Sequence, residues 1–170
     1  LQELLRRFLT AYGPATREDF AQWFGVLPTP KVVRPVFEAL TSELEEVEVE
    51  GWKGDALAST IEKIKAMPVA NTVRLLPNFD LFINLNYSHR RFMLDKAHAA
   101  RVYRKSAWVS PVVLVDGRME GVWLYEKKRG RTPVTVEMFS PASVDIKAGI
   151  EGEATRLGDY LGAPAEVIYR

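Results

Sequence analysis

Apolar residues recur at helical spacing three times within the first 44 positions, and a strand-like alternation follows at once. Leu1, Leu4, Leu5, Phe8, Leu9 and Tyr12 share one face of a helix that Gly13-Pro14 stops. Thr16 is placed to cap a second helix, with Asp19 three residues on as its reciprocal partner. Phe20, Trp23 and Phe24 supply the buried face of that helix, and Gly25 ends it. Thr29-Pro30 opens a third, with Val32, Val33, Val36, Phe37, Leu40 and Leu44 toward the core. Pro35 cannot donate to the carbonyl of Lys31, which predicts either an irregular first turn or a regular helix beginning nearer Arg34. Val47 and Val49 then alternate with Glu46, Glu48 and Glu50, as in a half-buried strand. Lys53-Gly54 offers a turn and Ala56–Ser59 a return strand. Three helices followed by a two-stranded hairpin predict a winged helix-turn-helix over residues 1–60.

Residues 61–72 read as a linker, entered by a short helix that starts near 60. From 73 to 170 the pattern changes to short strands. Val73–Leu76 is stopped by Pro77, and Leu81-Phe82-Ile83 is a buried apolar run. Pro111–Val115 and Met119–Glu126 are joined through Asp116-Gly117, both of which tolerate positive φ in a tight hairpin. Thr132–Phe139 returns, Ser140-Pro141 caps a helix with Ile150, Ala154, Leu157 and Leu161 in register, and Ala165–Tyr169 adds a last strand. The fold class expected is α+β: a winged helix-turn-helix followed by a small antiparallel β-sheet or open-barrel domain with a covering helix.

The charge is divided unevenly between the halves. Residues 1–60 hold six Lys/Arg against ten Asp/Glu, whereas residues 84–131 hold eleven against four. In a winged helix-turn-helix the third helix would offer Lys31 and Arg34 to phosphates or bases. Glu43, Glu45, Glu46, Glu48 and Glu50 follow closely, however, and oppose a polyanion unless they point away from it. Lys31 and Arg34 are equally consistent with an ordinary solvated face. The second half carries Arg90, Arg91, Arg101 and Arg104, and then Lys127, Lys128, Arg129 and Arg131 at one hairpin tip. That tip either probes a nucleic-acid backbone or protects a sheet edge from aggregation. Trp108 and Trp123 have faces that could stack on bases, although aromatics alternating in strands are usually core.

Several chemistries lack their residues. The absence of cysteine removes disulfides, zinc ribbons and thiol catalysis, and two histidines, His89 and His98, do not make a histidine-rich metal site. No glycine-rich phosphate loop, nucleophile elbow or metal-ligand spacing is present, so no cofactor and no catalytic residue is expected. Asp80, Asp95 and Asp116 are the carboxylates nearest basic or apolar segments. Asp116 suits its hairpin turn, and Asp80 a local cap or ion pair. No apolar run is long enough to span a membrane, and no secretory leader opens the chain, which with the lack of cysteine points to a cytoplasmic protein. Leu1 already lies inside a helical pattern, the expected appearance of a piece of something longer.

Three stretches taken together resemble one family: Ala11-Tyr12-Gly13-Pro14-Ala15-Thr16 with Asp19-Phe20, then Leu75-Leu76-Pro77-Asn78-Phe79-Asp80, then Val115-Asp116-Gly117-Arg118 with Gly121-Val122-Trp123. In this order and spacing they resemble the carboxy-terminal part of the bacterial winged-helix DNA-binding family that includes the crosslink-repair DNA glycosylases of the YcaQ and AlkZ type. The resemblance covers most of the chain. It implies tandem winged helices followed by a β-rich domain in a concave DNA-binding body, with double-stranded DNA, damaged DNA included, and the amino-terminal part of the same protein as partners. In the glycosylases it further implies a Gln-apolar-Gln or Gln-apolar-Asp motif that positions the hydrolytic water. Gln2 and Gln22 are the only glutamines, and neither has Gln or Asp two residues later. Either the motif lies upstream of Leu1 or the chain comes from a non-catalytic relative. Tyr87-Ser88-His89-Arg90 also departs from the family pattern, which places Asp before the Arg. The reading that follows is a DNA-binding part of a glycosylase-like repair protein, not an enzyme by itself. The alternative is a protein-interaction or regulator-like winged-helix module.

Overall fold

The computed structural model describes residues 1–25, 30–49, 51–67, 72–85 and 90–170, with Pro30, Leu85, Arg90 and Arg91 described in backbone only. They divide into two compact units, one from residues 1–67 with Leu85 and the other from residues 72–84 and 90–170. Among them no helix is long and apolar enough to cross a membrane.

The first unit is three helices and a hairpin. Helix α1 (Gln2–Tyr12) buries Leu5, Phe8 and Leu9, while Leu1 and Leu4 stay in solvent. Helix α2 (Arg17–Phe24) starts at the capping box expected of Thr16 and Asp19: the Asp19 N–H donates to Thr16 Oγ1, and the Thr16 N–H to Asp19 Oδ2 at 2.8 Å. Gly25 ends α2 at φ 76. Helix α3 (Pro30–Glu38) contains Pro35 without breaking, so regular helix begins ahead of Arg34. The Thr29 start signal falls outside the described residues. Phe8, Phe20, Phe37 and Leu40 close the core, with Phe8 and Phe20 edge to face at 5.3 Å. Phe24 and Val32, expected inside, are exposed.

Strands β1 (Leu44–Val49) and β2 (Trp52–Leu57) pair antiparallel from Leu44↔Leu57 to Val49↔Trp52. The turn is not Lys53-Gly54. Those two residues pair with Glu48 and Val47 inside the hairpin, and Gly51 at φ 81 lies in the connection instead. Gly54 serves close packing, because a Cβ there would sit 2.5 Å from the Trp52 ring and 3.1 Å from Ala15 N. Ala15 extends the hairpin by exchanging both backbone hydrogen bonds with Asp55, at 3.0 and 2.9 Å. Arg6 grips Glu43 through two bonds of 2.8 Å, which ties α1 to the turn before β1 and holds the Glu43 carboxyl below its ordinary pKa. Ala58 and Ser59 belong to helix α4 (Ala58–Ala66), not to the return strand.

The second unit is a five-stranded sheet in the order β3-β4-β5-β6-β7: Val73–Leu76, Val112–Val115, Arg118–Tyr125, Thr132–Met138 and Ala165–Tyr169. The first three pairings are antiparallel, but β7 runs parallel to β6. An all-antiparallel sheet is therefore incorrect. Helix α8 (Val144–Leu161) crosses over between the last two strands, and such a crossover returns the chain in the original direction. Ser143, not Ser140-Pro141, caps α8, accepting from the Ile146 N–H at 3.2 Å. Ile150 and Ala154 pack on Val73, Val113, Trp123, Val134 and Val136. The hairpin at Asp116-Gly117 forms as expected, with φ of 47 and 81. Short helices α5 (Leu81–Leu85), α6 (Arg90–Met93) and α7 (Ala99–Val102) contribute to a second cluster, in which Ile83, Met93, Leu94, Val102 and Val109 pack with Val112 and Met119 of the sheet.

Candidate nucleic-acid interface

Strand direction decides which side chains are left for a ligand. In β6, Val134 and Val136 face the core under α8, so Thr135 and Glu137 project from the other side of the sheet. Those two residues, with Val122 and Leu124 of β5, floor an open groove of about 670 Å³. Its walls include Arg101, Arg104, Trp108, Tyr125 and Arg170. Trp108 and Tyr125 are each 44% exposed. Trp123 behaves oppositely: it is buried and donates Nε1–H to the Leu76 carbonyl at 2.8 Å, across the intervening strand. Trp108 thus stands open in the groove, while Trp123, at the groove's edge, is held in the core.

The groove's cations differ in freedom. Arg101 is ion-paired to Glu137 and lies over the Phe139 ring, 4.7 Å from its centroid, which fixes it in place. Arg104 is exposed and, among the described residues, makes no side-chain hydrogen bond or ion pair. The loop that carries it is closed by the Arg104 N–H on the Trp108 carbonyl at 2.8 Å and by the isolated bridge Tyr103↔Val109.

The hairpin tip between β5 and β6 is the other basic feature. Backbone bonds between Lys128 and Arg131, of 3.0 and 3.3 Å, close the tip with Gly130 at φ 75. All four cations are exposed, but they do not form a uniform probe. Lys127 Nζ donates to the Leu161 carbonyl at 3.0 Å, at the end of α8 where the Gly158 and Asp159 carbonyls already accept from Ala163 and Gly162. Lys128 pairs with Glu126 at 2.9 Å, holding that carboxyl below its usual pKa, and Arg131 lies 3.6 Å from Glu166. Arg129 alone of the four has no side-chain partner among the described residues.

In the first unit, Lys31 is exposed and Arg34 is bonded to Glu38 at 2.6 Å. Glu45, Glu46 and Glu48 are exposed along β1, and among the described residues Glu46 alone of them is ion-paired, to Lys53 at 2.6 Å, which Glu48 across the hairpin also attracts. The side chains of Arg90 and Arg91, and all of Tyr87-Ser88-His89, fall outside the described residues. Asp80 does act as a local cap, accepting from the Phe82 N–H at 2.9 Å, and Asp116 accepts from the Thr72 N–H at 2.7 Å. Among the described residues no three His, Cys, Asp or Glu side chains gather as a metal site. Sequence reasoning did not single out Tyr125 or Arg170, and it met Phe79 only within a family motif. What brings them beside Trp108 is sheet register and loop shape, for which the chain has no local signal.

The model of the family described as "DNA glycosylase AlkZ-like" matches residues 1–160. The chain belongs to the AlkZ-like DNA glycosylase family. Within it, the "Interstrand DNA cross-link repair glycosylase" of Streptomyces sahachiroi is 37% identical over 121 residues, 71% of this chain and 33% of that protein. The solved structure of the Streptomyces sahachiroi DNA glycosylase AlkZ superposes with a TM-score of 0.83 at 30% identity, over 98% of this chain and 45% of that one. The chain thus spans less than half the length of these AlkZ-like relatives. The mixed α+β architecture is shared by both AlkZ-like structures.

Proposed function

We propose that this chain is a DNA-engaging part of a glycosylase-like repair protein, with its attraction for DNA supplied mainly by the second unit. The observation that carries the reading is the family membership across residues 1–160, joined to a groove and a hairpin tip that are both basic. Arg101, Arg104, Lys127, Lys128, Arg129 and Arg131 are assigned to phosphates, which hold a duplex by charge and shape without reading its sequence. The partner is double-stranded DNA, damaged DNA included, in a cytoplasmic, nucleoid-associated setting. Base release is assigned to the intact protein, since the Gln-apolar-Gln or Gln-apolar-Asp motif is not among these 170 residues.

In this reading residues 1–60 are a winged helix-turn-helix, 61–72 connect it onward and 73–170 are the β-rich domain. The exposed carboxylates of β1 and the engagement of Arg34 by Glu38 favour a protein-facing role for this winged helix, packed against the amino-terminal part of the same protein. Lys31 and Arg34 are then secondary contacts. Fluorescence anisotropy with a short labelled duplex across a salt series tests the assignment. Binding should weaken steeply as salt rises. No binding at low salt would overturn it.

A further inference from the structure

The fold holds a pair of aromatic rings out in water, one of them, Trp108, on the groove wall. Trp108 and Phe79 meet edge to face, with centroids 5.2 Å apart and planes at 76°, and remain 44% and 43% exposed. Neither packs into the unit's two apolar clusters. Burial would be the default for two such rings, because apolar surface in water is unfavourable.

Their exposure comes with backbone strain. Phe79 has φ 59, and Ser106 and Ala107, just before Trp108, have φ of 60 and 57. Residues with a Cβ seldom occupy this left-handed region, and two in succession without glycine or asparagine is unusual. The Arg104–Trp108 and Tyr103–Val109 backbone contacts hold the turn in that shape. Held strain of this kind gathers where a loop presents something to a ligand.

The surrounding chemistry narrows the ligand. An indole face, the uncommitted Arg104 guanidinium and the polar Asn78 and Thr135 line one groove of about 670 Å³. That volume lies within the roughly 300–1,000 Å³ typical of small-ligand sites, so a duplex meets only the cations on its walls while a single nucleotide fits inside. A flat ring beside a free cation is the arrangement that holds a single-stranded nucleotide, the base stacked and the phosphate paired. We propose that this groove takes an unpaired nucleotide of a DNA strand, its base stacked on Trp108 and its phosphate at Arg104. The inference rests on the DNA-binding reading above and adds to it a preference for locally unpaired DNA.

The test compares two labelled probes, a short fully paired duplex and the same duplex with a run of unpaired thymidines in one strand. The chain should bind the second more tightly, by about 5- to 150-fold for one stacked base. Trp108→Ala should abolish that preference and leave affinity for the paired duplex within about twofold. Trp108→Phe, which keeps a ring and the fold, should retain most of the preference. A preference that survives Trp108→Ala, or none in the unaltered chain, would overturn the inference while duplex binding stands. Failure of both probes to bind would overturn the inference and the DNA-binding reading together.

Discussion

Neutralising the hairpin tip gives a prediction whose size follows from its geometry. In the variant, Lys127, Lys128, Arg129 and Arg131 are all replaced by Gln. Each phosphate neutralised contributes roughly 0.9 to the slope of log affinity against log salt. Were all four cations to reach phosphates, the variant would lose about 3.6 of that slope. Lys128 and Arg131, however, already face Glu126 and Glu166 at 2.9 and 3.6 Å. If those carboxylates keep their partners, the loss is nearer to about 1.8. Between about 50 and 200 mM salt, these slopes correspond to a difference in affinity loss of roughly 150-fold or 12-fold. Fold integrity should survive, since exposed ion pairs contribute little to stability. The assay is duplex anisotropy at several salt concentrations, with a thermal melt of each protein. Glu126→Gln is the mirror experiment: it frees Lys128 and should strengthen binding. A variant slope equal to that of the unaltered chain would refute a hairpin role.

Three further outcomes concern the scaffold. Ile150→Ala empties a fully buried site between α8 and the sheet and should cost about 2–5 kcal/mol in urea unfolding. Trp123→Phe removes the donor to the Leu76 carbonyl and should cost about 0.5–1.5 kcal/mol beyond the cavity left by the smaller ring, also read in urea. Burial raises the Asp55 carboxyl pKa against the opposing pull of Arg17, so the folded state keeps this proton to a higher pH than the unfolded chain. Stability from this group therefore falls as pH rises from the ordinary carboxylate value through the raised one. Asp55→Asn should raise the melting temperature at neutral pH, and the gain should shrink on acidification toward about pH 4.

Local chemistry made much of this fold legible. The Thr16/Asp19 box, Gly25 and the Asp116-Gly117 hairpin are short-range signals, and each forms as the residues imply. The errors arose where tertiary contacts decide. Gly54 reads as a turn, yet it exists to let Trp52 and Ala15 approach, while Gly51 adopts the positive φ. The parallel pairing of β7 depends on where α8 carries the chain, which strand-forming residues do not encode. Site residues divide in the same way. A run of cations in sequence marked the hairpin tip, whereas their partners Glu126, Glu166 and the Leu161 carbonyl became visible only in three dimensions. Trp108 stands exposed because Ser106 and Ala107 take positive φ without any glycine to announce it.

The central claim is that the second unit, not the three-helix unit, supplies the attraction for DNA. Amide chemical-shift mapping of the isotope-labelled chain, titrated with a short duplex, tests it most directly. Shifts should concentrate at residues 101–104 and 126–131, with those of 30–38 and 44–49 nearly unmoved. The largest changes falling along Pro30–Glu38, with the hairpin tip and groove silent, would contradict it.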